Sequence, residues 1–201
     1  MLRQNFIARK SFFLQVLQNF TTLTALYIMS SDYTIIYKLL PSLILLLTII
    51  NTINFIDNIF TNDEALGILD FYKSCYEIEV IIFAKYLTLL LFSILCLIVT
   101  TVISYIIFSL TLDLVFFIIL GSVLALITSC IIFCIMGALS LYITNHLYII
   151  SSCIIPFIFP SLIVYSLFVQ TNNIKFLMIS LGINCIIVPL GFYLTKKLLE
   201  E

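Results

Sequence analysis

Residues 114–174 read LVFFIILGSVLALITSCIIFCIMGALSLYITNHLYIISSCIIPFIFPSLIVYSLFVQTNNI, sixty-one positions without an Asp, Glu, Lys or Arg. A second uncharged run, of twenty-seven residues, extends from Tyr86 to Leu112. About twenty apolar residues in a helix cross the hydrocarbon core of a bilayer, and a charge at the middle of the crossing costs about 2.5–3.5 kcal/mol on insertion scales. Uncharged runs of this length therefore predict membrane-spanning helices.

The composition supports the same class. Hydrophobic residues make up 63% of the chain and charged residues 9%, whereas soluble domains contain about 45–50% and about 25%. The apolar runs are continuous rather than alternating, which favours helices over a barrel. We predict an all-α, polytopic integral membrane protein. A net charge of −1 provides no basic patch, so the sequence gives nucleic-acid binding no support.

Charges and polar clusters divide the chain into six predicted spans. Their approximate boundaries are residues 12–31, 35–56, 84–109, 115–140, 147–169 and 176–195. The N-terminal segment carries Arg3, Arg9 and Lys10 but lacks an Ala-x-Ala-like cleavage site, so we interpret the first apolar segment as a retained helix rather than a signal peptide.

The distribution of Lys and Arg predicts the orientation. Seven lie at the N-terminal flank, in the connection after the second span and in the C-terminal tail, whereas only Lys38 and Lys175 lie on the other side. The positive-inside rule then places both termini and the connection at about residues 57–83 in the cytoplasm. This connection contains six of the ten acids. Its spacing predicts a short amphipathic helix that displays carboxylates and aromatic side chains at the membrane surface. A polar loop whose apolar side chains rest on the headgroups is the alternative.

The stretch from Asn54 to Asp70, NFIDNIFTNDEALGILD, resembles the first cytoplasmic loop of haem exporter protein B, the permease of the cytochrome c maturation ABC system. The family pattern has an acid, a Phe, paired acids, a Gly, then Leu and an acid. Ala84-Lys85, the IPFIFP run at 155–160 and Pro41 are also similar to the family, although its prolines opposite residues 74–79 are missing here. The residues that match the loop pattern, with the second paired acid, are Asp57, Phe60, Asp63, Glu64, Gly67, Leu69 and Asp70.

The resemblance implies an ABC-2-like permease subunit in which these loop residues couple to an ATP-binding subunit supplied by another chain. The implied function is haem export or release of a haem-loaded chaperone in c-type cytochrome biogenesis, at a bacterial inner membrane or, alternatively, a mitochondrial one. Haem would be a transported substrate rather than a firmly bound cofactor. Other maturation proteins, a second copy or another permease subunit are the further implied partners. The five glycines never form G-x-x-x-x-G-K-[ST], so we expect ATP to be bound only by the partner.

Several residues outside the loop are weaker candidates for a functional role. Pro156 and Pro160 lie one turn apart in the fifth predicted span, where they would form a hinge or be accommodated by neighbouring helices. His146, the only histidine, and Asp113 are placed in turns, where solvated polar residues are ordinary. The cysteines lack CxxC spacing and predict neither disulfides nor a metal site. The small residues of the fourth span predict a helix-packing face; they are Gly121, Ser122, Ala125, Ser129, Gly137 and Ala138.

Two rival functions remain open at this point. One is a membrane scaffold that recruits partners without transport, and the other is an ABC permease for a different substrate. An intramembrane enzyme has little support, because a single His and no paired carboxylates within the spans leave few groups for acid–base or metal chemistry.

Overall fold

A computed structural model describes residues 16–28, 33–56, 60–141 and 174–200 of the chain. The regular structure within these ranges is entirely α-helical. The helices are α1 (residues 16–28), α2 (Tyr33–Ile56), α3 (Thr61–Ala65), α4 (Ile68–Cys75), α5 (Ile78–Phe108), α6 (Leu112–Leu139) and α7 (Ile174–Glu200).

Among the described helices, three are long and apolar enough to cross a membrane, namely α5, α6 and the Met178–Glu200 part of α7. At 1.5 Å per residue the 31 residues of α5 extend about 46 Å, more than the roughly 30 Å of a hydrocarbon core. A shorter apolar stretch, Lys38–Ile53, lies within α2. The protein is therefore an all-helical, membrane-embedded protein, as its composition predicts.

Some helix boundaries differ from the sequence predictions. Helix α2 begins two residues before the predicted span and ends with it, whereas α5 begins at Ile78 rather than at residue 84. The prediction assigns the residues before 84, including Glu79, to the loop, but the helix extends through them and carries Glu79 in its first turn. The last helix extends to Glu200 instead of residue 195. The fifth predicted span, at 147–169, lies outside the described residues.

Helix α6 is the centre of the bundle and contacts α2, α5 and α7. The six small residues predicted to form a packing face are all buried, which confirms that prediction. Helix α7 approaches α6 closely at Gly191, where a Cβ would collide with the side chain of Ile131. Glycine is thus required sterically at this helix crossing.

Contacts along the helices establish their directions. Asn19 and Tyr27 of α1 contact Thr100 and Phe108 of α5, so these two helices run parallel. Helices α5 and α6 are joined by residues 109–111 and run antiparallel. Helix α7 is antiparallel to α5, and it runs in the same direction as α6 because residues 184 and 191 meet residues 124–128 and 131 in that order. Helices α6 and α7 therefore end at the end of the bundle that carries α3 and α4, and α1 runs away from that end beside the second half of α5.

Hydrogen bonds between buried polar side chains connect α2, α5 and α6. Thr52 Oγ1 lies 3.0 Å from Ser93 Oγ, which in turn lies 3.5 Å from Cys130 Sγ. Thr52 and Ser93 also donate to the carbonyl four residues earlier in their own helices. Each hydroxyl therefore has a hydrogen-bond acceptor in its own helix. The contacts between side chains determine which faces of α2, α5 and α6 pack together.

Asn184 provides the corresponding link between α6 and α7. Its Nδ2 donates to the backbone oxygen of Leu124 at 3.0 Å, and its Oδ1 accepts from Thr128 Oγ1 at 2.5 Å. Asn184 is only 8% exposed. An amide buried among apolar helices needs such partners, because an unsatisfied polar group in this environment is costly.

Candidate functional site

The predicted coupling loop folds as two short helices at one end of the bundle. Helices α3 and α4 are separated by Leu66 and Gly67, and Gly67 has a φ of 66°, in the left-handed region that favours glycine. The backbone N–H of Gly67 donates to the carbonyl of Glu64 at 2.9 Å, which closes α3. The predicted short amphipathic helix corresponds to α4, which buries Leu69 and exposes Asp70 and Phe71, whereas the residues before the turn at Gly67 form the separate helix α3.

Two of the predicted loop residues are anchors rather than exposed contacts. Phe60 and Leu69 are 0% and 3% exposed and belong to the hydrophobic core. Tyr72 packs against the same core from the next turn of α4. The expectation that Phe60 would be displayed at the surface is wrong, because the hydrophobic effect favours its burial against the bundle. Phe60 and Leu69 hold the loop to the transmembrane helices.

An ion pair joins α3 to α5. The Lys85 ammonium pairs with the Asp63 carboxylate, and the two side chains are only 22% and 20% exposed. The Lys85 Nζ also lies 5.9 Å from the centroid of the Phe60 ring, within the range of a cation–π contact. A lysine close to the membrane is thereby neutralised by an acid from the preceding loop. The sequence prediction uses Lys85 as an orientation signal and as part of the family match, and it does not pair this lysine with an acid.

Several side chains of the loop are exposed, and four of them form what we call the docking surface: Glu64, Leu66, Asp70 and Phe71. Leu66 is 58% exposed and Phe71 is 62% exposed, while Glu64 and Asp70 are exposed acids. The family resemblance predicts Glu64 and Asp70 as coupling residues, whereas it does not predict Leu66 and Phe71. Asp57 lies outside the described residues. The loop thus buries one set of apolar side chains and leaves another exposed beside carboxylates.

The loop end of the bundle contains a second set of contacts, between α5 and α7. Lys196 Nζ lies 2.6 Å from Glu79 Oε1, and the two side chains are 37% and 60% exposed. Phe192 packs against the rings of Phe83 and Tyr86 at centroid distances of 6.3 and 5.4 Å. The first turns of α5 therefore contact the last turns of α7. Sequence reasoning missed this contact because its members are more than a hundred residues apart.

The remaining candidates contribute little to the site. Asp113 is exposed in the first turn of α6, where a negative charge is favourable at the helix N-terminus. Pro156, Pro160 and His146 lie outside the described residues. Among the residues that the structure describes, no three His, Cys, Asp or Glu side chains are grouped for metal binding.

Comparisons with known proteins identify relatives without a stated activity. The chain is 28% identical over 165 residues to an uncharacterized protein of Rickettsia prowazekii, covering 82% of this chain and 76% of that protein. It is 27% identical over 165 residues to an uncharacterized protein of Rickettsia conorii, with the same coverage. No protein-family model matches the chain, and no solved structure matches it. The chain is thus similar along most of its length to rickettsial proteins.

Proposed function

We propose that this protein is the transmembrane subunit of an ABC complex, in which the loop formed by α3 and α4 docks on an ATP-binding subunit. One observation carries the proposal. Phe60 and Leu69 attach the loop to its own bundle by their burial, yet Leu66 and Phe71 remain exposed on it. Apolar side chains that a loop does not need for its own anchoring are typical of a surface that meets another protein.

The charges of the docking surface favour a protein partner over lipid. Glu64 lies two residues before Leu66 and Asp70 lies next to Phe71 in the sequence, and anionic headgroups would repel both carboxylates. A groove with an apolar floor and basic residues at its rim complements this surface in shape and charge. We therefore expect the partner to present Lys or Arg around a hydrophobic pocket that takes Phe71.

We also propose six membrane crossings with both termini on the cytoplasmic side. Helix α6 ends at the loop end of the bundle, and α7 begins at the opposite end. A six-span topology requires these two ends to lie on opposite sides, so their positions support the count of six derived from the uncharged runs. The excess of Lys and Arg on the loop side supports a cytoplasmic location for the docking surface.

The proposed role is haem delivery for c-type cytochrome biogenesis at a bacterial inner membrane, and its support is the resemblance of residues 54–70 to the haem exporter protein B loop. ATP hydrolysis in the partner would bias the helices between two packings. That bias would either transfer haem or release a haem-loaded chaperone. Because a ligand shifts an equilibrium only by its differential affinity for the two states, the loop must contact the partner differently in each nucleotide state.

Co-purification tests the proposed docking. The protein is expressed with candidate ATP-binding subunits as wild type, as Phe71→Ala and as Phe116→Ala. Phe116 is a matched control, because it is 63% exposed and lies at the opposite end of the bundle on α6. We expect Phe71→Ala to lower the affinity for the ATP-binding subunit about tenfold, as for a central interface aromatic, and Phe116→Ala to leave it unchanged. Equal recovery with both variants would contradict the docking proposal.

A second measurement separates a transporter from a scaffold. An ATP-binding subunit whose phosphate-loop lysine is replaced by alanine is co-expressed, and cytochrome c maturation is measured. An ABC subunit driven by hydrolysis loses maturation although the complex still forms. Persisting maturation with the inactive ATPase would favour the scaffold.

A further inference from the structure

The loop formed by α3 and α4 is attached to α5 at two separate points. The first is covalent: residues Tyr76 and Glu77 join α4 to α5 in an extended conformation. The second is the ion pair between Asp63 and Lys85, which connects α3 to the second turn of α5. The burial of Phe60 and Leu69 also holds the loop to the bundle, but apolar packing alone still permits rotation about the two-residue extended linker. A polar attachment further along α5 restricts that rotation.

The environment of the ion pair makes it an effective second attachment. An exposed pair contributes little, because water screens the charges and both side chains lose rotamer entropy. The Asp63 and Lys85 side chains are about four-fifths buried, and the ring of Phe60 covers the ammonium from one side. Reduced screening strengthens the attraction in such a site, and the uncompensated charge left by removing one partner is costly.

The contacts continue from α5 into the rest of the bundle. Phe192 of α7 packs against Phe83 and Tyr86, which lie on either side of Lys85 in the sequence of α5. The residue before Phe192 is Gly191, which packs closely against Ile131 of α6. The loop, the first turns of α5 and the last turns of α7 therefore form one continuous packed unit that reaches α6.

We propose that Lys85 is a positioning residue that fixes the loop to α5, so that the loop and the loop-end turns of α5 and α7 move as one body. The proposal rests on the proposed function only for the source of the movement, which is the ATP-binding subunit. A force on the docking surface then displaces α5 directly instead of pivoting the loop about Tyr76 and Glu77. Asp63 and the Phe60 ring contribute to this positioning through their contacts with the Lys85 ammonium.

Distance measurements between spin labels test the attachment in the isolated protein. Labels are placed at the exposed positions Lys73 on α4 and Lys197 on α7, in a background in which Cys75, Cys153 and Cys185 are serine. Wild type and Lys85→Arg are expected to give one narrow distance distribution. Lys85→Met is expected to lose that narrow distribution, because the loop pivots relative to α7.

Two further variants test whether the broad distribution comes from loss of the ion pair or from the unpaired carboxylate that Lys85→Met leaves at Asp63. The double variant Asp63→Asn/Lys85→Met removes both charges of this ion pair, and it is expected to show the same broad distribution as Lys85→Met. Lys196→Met removes the more exposed pair with Glu79 and is expected to keep the narrow distribution, because the Phe192 contacts remain. A wild-type distribution in both Lys85→Met and the double variant would overturn the proposal.

Co-purification distinguishes failure of this inference from failure of the proposed function. Lys85→Met is expected to retain the ATP-binding subunit, because the docking surface is intact, while maturation of c-type cytochromes is lost. If wild-type protein recovers no ATP-binding subunit, the proposed function fails, whereas the distance distributions still decide whether Lys85 fixes the loop. If the variant is as active as wild type, Lys85 does not transmit movement.

Discussion

Replacing Gly191 with alanine should weaken the packing of α7 on α6, whereas the same replacement at Gly182 should not. Both glycines lie in α7, but a Cβ at Gly191 meets the side chain of Ile131, and a Cβ at Gly182 meets nothing within 4 Å. The two substitutions have the same effect on helix propensity. Their difference therefore isolates the steric contact between the helices.

The size of the effect follows from two opposing contributions. Alanine in place of glycine inside a helix stabilises it by about 0.5–1 kcal/mol. Overpacking a close contact costs about 1–3 kcal/mol. We therefore expect Gly191→Ala to be less stable than Gly182→Ala by about 1–3 kcal/mol. Shortening Ile131 to alanine should relieve the collision, so Gly191→Ala should cost less in an Ile131→Ala background than in the wild type.

The buried cysteines provide the assay. Cys96, Cys130 and Cys134 are at most 3% exposed. In a background in which Cys75, Cys153 and Cys185 are serine, a thiol-reactive fluorophore therefore reports their exposure when detergent-solubilised protein is heated. A difference of 1 kcal/mol corresponds to about 2–4 °C in Tm for a domain of this size. Equal Tm values for the two alanine variants would refute the close approach of α6 and α7 at this crossing.

Three further outcomes are expected. Asn184→Leu should destabilise the protein by about 0.6–1.7 kcal/mol in thermal unfolding, the range for hydrogen bonds between membrane helices, because Thr128 loses its partner on α7; an unchanged Tm would count against this link. Phe60→Ala should cost about 3–5 kcal/mol as a buried aromatic deletion and accelerate trypsin cleavage after the exposed Lys73, and an unchanged cleavage rate would contradict its anchoring role. Cys75 should react with a membrane-impermeant thiol reagent only when the cytoplasmic side is accessible, and labelling in intact cells would reverse the proposed orientation.

The membrane class and the approximate positions of several helices follow from local patterns. Charge-free runs identify α5 and α6, because a bilayer penalises any charge within a crossing. The predicted start of α5 is six residues too late, since the prediction assigns the charged stretch that contains Glu79 to the loop. The ion pair between Lys85 and Asp63 is not predicted either. The two residues lie in different helices, and a single sequence does not show which acid contacts this lysine.

The site is predicted less completely than the fold class. The loop pattern identifies Glu64 and Asp70, which are exposed, but it also assigns a displayed role to Phe60, which is buried. Helical spacing alone does not reveal which apolar face of a short loop meets the bundle. Gly67 offers a signal, because glycine is favoured where the backbone adopts a positive φ and ends a helix.

Photocrosslinking at Phe71 tests the central claim most directly. A photoreactive amino acid is introduced there in cells that contain the whole complex, with Phe116 as the matched position on α6. We predict a crosslink from position 71 to an ATP-binding subunit and none from position 116. Crosslinks from position 71 to lipid alone would contradict the claim that this surface docks on such a subunit.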